Sequence, residues 1–154
     1  MVDRAWARMI AVAIAVIVLD QITKALVNSG IERGGSEDVV LGIRFVNVRN
    51  TGVAFSSLQG AGALIAIIVA VALIGLLWYF ARNAGKPLIW LPTGMLLGGA
   101  LGNVIDRVRE GAVVDFIKVA DFWPAFNVAD ISVTLGVLLL LWVMERGSAP
   151  QRRA

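Results

Sequence analysis

The run "AGALIAIIVAVALIGLLWYFA", Ala61 to Ala81, is 21 residues long and carries no charge. As a helix rising 1.5 Å per residue it reaches about 31 Å, close to the roughly 30 Å hydrocarbon core of a bilayer. Inside lipid every backbone N–H and C=O must be satisfied within the segment, so a helix is the form such a run takes. Pro87 to Ile105 adds a second uncharged run of 19 residues. Ile131 to Met144 is uncharged for 14 residues and becomes long enough to span only with "FWPAFNVAD" in front of it. Trp6 to Val27 is apolar apart from interruptions that include Asp20 and Lys24. With 58% of residues hydrophobic and 16% charged, the balance is that of a membrane protein. The expectation is an all-α polytopic membrane protein forming a single membrane-embedded unit over 1–154. Its four transmembrane helices are expected at about 6–27, 61–81, 87–105 and 124–145, with external loops at about 28–60 and 106–123.

Arg4 and Arg8 before "MIAVAIAVIVL" imitate a secretory signal, but "DQITK" follows where small neutral residues would precede cleavage. The first helix is therefore expected to be retained. Orientation follows from basic residues beside the helices. Segments 1–8, 82–86 and 145–154 hold seven Lys/Arg in 23 residues, whereas 20–60 and 106–130 hold seven in 66. The denser set belongs inside, so both termini are expected to be cytoplasmic and the two long loops outside. "VVLGIRFVNVRN" (39–50) is rich in β-branched residues and includes Arg44 and Asn47, so short strands are expected on the outer face. "AVVDFIKV" (112–119) reads the same way.

The chain contains neither Cys nor His. Disulfides, Cys nucleophiles, Ser-His-Asp triads and His-based zinc sites are excluded. The net charge of +3 is too small and scattered for a nucleic-acid footprint. Polar residues instead gather where the helices meet the outer side: "DQITK", "RNTGVAFS", "GNVIDR" and "FNVAD". Ionisable groups within spans are costly and mark function by default. A proton-coupled carrier would want lone acids at mid-membrane, and the second helix has none. A non-enzymatic assembly factor would tolerate Asn in place of the acids at 115 or 130.

Gly94, Gly98 and Gly102 recur every four residues, as close helix packing requires. Asn103, Asp106 and Arg107 continue on or near that face. Asp106 and Arg107 read either as a boundary ion pair or, for Arg107 with Asn103, as a grip on substrate carbonyls. Asp20 and Lys24 stand four apart and can pair along one helix face. Among the acids of "VVDFIKVADFWPAFNVAD", Asp121 reads as a solvated loop residue, while Asp115 sits among apolar neighbours and Asp130 opens the last helix. Two carboxylates sharing a partly dry site share a proton. One can then serve as general base on water while the other polarises a carbonyl, with no metal and no covalent intermediate.

Taken together, "DQITK" (20–24), "NTGVAFS" (50–56), "GGALGNVIDR" (98–107), "GAVVDF" (111–116) and "FNVAD" (126–130) resemble the box set of the bacterial lipoprotein signal peptidases, signal peptidase II. The resemblance implies an aspartic intramembrane endopeptidase of the bacterial inner membrane. Such an enzyme removes the signal peptide of diacylglyceryl-modified prolipoproteins, cutting before the lipidated cysteine near the outer face. It assigns the dyad to Asp115 and Asp130. Asn103 and Arg107 match residues that contact the substrate or antibiotic backbone, with Asn50, Gly52 and Asn127 on the substrate side. Asp20, Lys24, Ala54, Asp106 and Ala129 match the supporting set. The outer β-rich platform corresponds to about 39–48. The implied partners are the prolipoprotein, membrane lipid and globomycin-type inhibitors, with no cofactor, no metal and a monomeric chain.

Overall fold

A computed structural model describes residues 2–40, 42–51 and 61–148. The element order is α1 (Val2–Gly30), β1 (Ser36–Val40), β2 (Ile43–Asn50), α2 (Ala61–Asn83), α3 (Trp90–Glu110), β3 (Val113–Lys118) and α4 (Val128–Ser148). Three of these helices, α1, α2 and α4, are long and apolar enough to cross a membrane. Helix α3 is of similar length, but glycines at 94, 98, 99 and 102 replace apolar side chains along it.

Those glycines explain why α3 lies between α1 and α4. A Cβ built at Gly94 would stand 2.6 Å from the Met9 carbonyl oxygen, and one at Gly98 2.7 Å from that of Ala13. One at Gly99 would meet the Ala129 carbonyl oxygen at 2.5 Å. Only hydrogen fits at these points, so three backbones approach as closely as small-residue packing allows. Helix α2 packs mainly against α3 and leaves Ile67, Ile68, Val71 and Ile74 exposed, the face a lipid-bathed helix presents. At one end of the bundle Met9, Phe80 and Ile89 are fully buried, with Trp6 edge-on to Phe80 at 4.8 Å.

At the other end a three-stranded antiparallel sheet, ordered β1-β2-β3, caps the helices. Asn47 on β2 donates to the Ile31 carbonyl at 2.7 Å, and Arg49 reaches Asn28 at 3.0 Å and Glu110 at 2.7 Å. These bonds tie the sheet to the ends of α1 and α3. Gly111, at φ 73°, adopts the left-handed conformation that ends α3 and returns the chain into β3.

Several boundaries differ from the sequence expectation. Helix α1 runs over 2–30 rather than 6–27, and α3 over 90–110 rather than 87–105, so both helices extend into the stretches read as external loops. The larger correction concerns α4, which begins at Val128 and not near 124. Phe126 is held as a strand residue, giving its N–H to the Ile117 carbonyl at 3.0 Å and accepting from the Phe116 and Ile117 N–H groups. Backbone pairing to β3 thus withholds residues 124–127 from the helix.

Candidate active site

The excursion between β3 and α4 brings two distant carboxyls to one place. Phe126 folds back on Ile117, which sets Asn127 beside Asp115 and starts α4 there. Asn127 is the N-cap of that helix. Its Oδ1 accepts the Asp130 N–H at 2.9 Å, while Asp130 Oδ2 accepts the Asn127 N–H at 3.2 Å. This reciprocal capping box fixes the Asp130 side chain against the first turn. The amide of Asn127 meanwhile donates to Asp115 Oδ1 at 2.7 Å. One residue therefore touches both aspartates.

Two further amides complete the cradle. Asn50 lies diagonally across the β2–β3 ladder and donates to Asp115 Oδ2 at 2.8 Å. Asn103 donates to Asp130 Oδ1 at 2.8 Å, and its own oxygen accepts from Lys24 at 3.1 Å and Asn127 at 3.1 Å. Asp115 is buried on the inner part of β3. Burial pushes its pKa up from 3.8 to about 6; the Asn50 bond opposes this, the nearby Asp130 charge adds to it, and Asn127 and Lys24 lower it.

Beneath the cradle lies a buried ionic cluster. Lys24 Nζ is 2.7 Å from both Asp20 Oδ2 and Asp106 Oδ2, and all three side chains are almost fully buried. Each acid has a second duty. Asp20 Oδ1 accepts the Ala129 N–H at 2.9 Å, one of the orphan donors in the first turn of α4. Asp106 Oδ2 accepts the Val114 N–H at 3.1 Å, next to Asp115 in β3. The cluster thus holds the backbone beside each of the two aspartates, Asp115 and Asp130. Gly102 makes room for it: a Cβ there would fall 2.7 Å from Asp20 Oδ2.

The structure corrects the reading of Asp106 and Arg107 as an ion pair. Asp106 faces inward to Lys24, while Arg107 is exposed and makes a 3.4 Å bond to the Asn103 carbonyl. Successive helix residues point about 100° apart, so the two could not share a direction. Arg107 instead lines a cavity of about 320 Å³ between α2 and α3 with Thr51, Val69 and Val104. On the opposite flank Asp130 borders a groove of about 390 Å³ walled by Trp123, Phe126, Ile131 and Leu135. Asp121 is exposed on the turn and pairs with Arg44, away from the cradle. Gly52 and Ala54 lie outside the described residues. Gln21, which the sequence reading did not single out, donates to Asp106 Oδ1 at 2.8 Å. Its signal was its place beside Asp20 in "DQITK". Among the described residues no cluster of acids has a metal-binding arrangement.

The sequence model of the family Signal peptidase (SPase) II matches residues 12–146. The chain belongs to that family. The lipoprotein signal peptidase of Halothermothrix orenii is 40% identical over 141 residues, 88% of this chain and 95% of that protein. The lipoprotein signal peptidase of Bacillus velezensis is 41% identical over 134 residues, 84% of this chain and 88% of that protein. A bacterial membrane enzyme solved by the in meso method at 1.9 Å superposes with a TM-score of 0.83 at 35% identity, covering 88% of this chain and 91% of its own. A second, solved at 2.3 Å, gives 0.82 at 32% identity, covering 95% and 93%. Membership makes the chain a membrane peptidase, and the three apolar helices agree.

Proposed function

We propose that the chain removes signal peptides from diacylglyceryl-modified prolipoproteins, cutting before the lipidated cysteine by an aspartic mechanism. The observation that carries this reading is the pair Asp115 and Asp130, joined through Asn127, with Asp115 held up at about 6 chiefly by burial. Asp115 takes the role of proton-bearing partner and polarises the scissile carbonyl. Asp130 takes a proton from water as the water attacks. The proton then passes to the leaving amine, and no covalent intermediate forms. Asn50, Asn103 and Asn127 hold the two carboxyls in register, Arg107 meets the substrate backbone from its cavity, and Gly52, the residue after Thr51 in the sequence, belongs to the substrate-binding set. The apolar groove beside Asp130 suits a substrate that arrives sideways from lipid.

The same reading has all four helices crossing the inner membrane of a bacterium, both termini cytoplasmic and the dyad near the outer face. It has the chain working as a monomer, with globomycin-type peptides competing for the site. The test uses purified variants in detergent and a diacylglyceryl-modified precursor. Asp115→Asn and Asp130→Asn are expected to lose roughly 10²–10⁴-fold or more in kcat/KM, the contribution of a positioned acid–base group. Asp121→Asn, which touches only an exposed partner, retains most activity. Full activity in either dyad variant overturns the mechanism.

A further inference from the structure

The ion pairs among the described residues all lie at the dyad end, where Lys24, Arg44 and Arg49 have carboxylate partners while Arg33, Arg107, Arg109 and Lys118 do not. At the far end, Arg4 and Arg8 on α1, Lys86 in the α2–α3 turn and Arg146 on α4 have no carboxylate within ion-pair distance among the described residues. The acids on the described helices there, Asp3 and Glu145, line neither of the two cavities that these cations form. The larger cavity, about 420 Å³, is walled by Arg4, Arg8, Lys86 and Trp90. The smaller, about 190 Å³, adjoins it through Lys86, Pro87 and Leu88 and ends at Trp142 and Arg146.

Two of these cations are held by aromatic faces. The Arg8 guanidinium lies 5.6 Å from the Trp90 ring centre, and that of Arg146 lies 3.9 Å from the Trp142 centre. A guanidinium stacked on a ring keeps its in-plane N–H donors, whose fork matches the oxygens of a phosphate. Tryptophan favours the depth of the lipid headgroups, where membrane phosphates lie. Pro87 and Leu88 give the cavity an apolar side for the glycerol and upper acyl carbons. The first turns of α1 and α3 also line it, and their dipoles favour an anion.

We propose that this cavity binds the phosphate headgroup of an anionic phospholipid from the leaflet opposite the dyad. The proposal is independent of the peptidase mechanism. Native mass spectrometry of the full chain, released from micelles doped with phosphatidylglycerol or with phosphatidylcholine of the same acyl chains, tests it. Phosphatidylglycerol is retained at lower concentration. The Arg8→Gln/Lys86→Gln variant weakens that retention by on the order of fivefold per charge removed, about 25-fold in all. Arg82→Gln leaves retention unchanged, because Arg82 stacks on Trp78 and lines neither cavity. Arg8→Lys/Lys86→Arg keeps most of the preference and serves if the Gln variant does not fold. Equal retention of both lipids overturns the proposal, as does an unchanged Gln variant or an equal loss in Arg82→Gln. Displacement of the lipid by millimolar inorganic phosphate overturns it too, in favour of a site for free anions.

Discussion

Single side chains set the chemistry, and Asp115 is the one whose environment is most telling. A raised carboxyl pKa means that the protonated form persists below about pH 6 and is lost above it. If Asp115 must carry the shared proton, kcat/KM has an alkaline limb near that pH. The Asn50 bond favours the ionised form, so removing it raises the pKa further. Asn50→Ala is therefore expected to move the alkaline limb upward, and a kcat/KM profile over pH 5–9 reads the shift; a downward move would refute the assignment. Lys24→Met leaves two buried carboxylates without their cation and is expected to cost about 3–5 kcal/mol of stability, seen in detergent unfolding curves. Asp20 and Lys24 were readable as a pair because four residues apart on a helix is a local relation. The third member, Asp106, was not, because its partner stands on a different helix and no spacing rule links them. Arg107 next to it in sequence was the tempting but wrong partner.

At the scale of elements, the glycines of α3 decide how near the site's two halves come. Asn103 on α3 and Asp130 on α4 bond at 2.8 Å only because Gly99 lets the helices touch. Gly99→Ala forces α4 outward, so we expect about 1–3 kcal/mol of destabilisation and a loss of cleavage. Gly75→Ala meets nothing within 4 Å and is expected to be neutral or to stabilise by about 0.5–1 kcal/mol. Comparing the two variants in one assay separates packing from simple helix propensity. The spacing of Gly94, Gly98 and Gly102 was legible as a packing face, and so were the apolar runs of α1, α2 and α4. The start of α4 was not, since "FWPAFNVAD" is apolar enough to continue a span. What ends the helix there is a backbone pairing between Phe126 and Ile117, a contact that hydropathy does not register.

Across the whole molecule, the absence of cysteine makes orientation directly measurable. A single Lys118→Cys is expected to react with a membrane-impermeant maleimide in intact cells, whereas Lys86→Cys reacts only after permeabilisation. The reverse pattern would turn the proposed topology over. At this scale composition alone pointed to a membrane and to chemistry without His or Cys. It gave no access to how β3 and α4 are brought together, which depends on the fold between them. That junction has one more consequence. Asn127, the residue that caps α4, is also the one that touches both carboxyls, and Asp20 from α1 seals the same turn. A chain whose first and last helices have not yet met lacks a finished helix end as well as a finished site. Closing the bundle and completing the candidate site are thereby a single event.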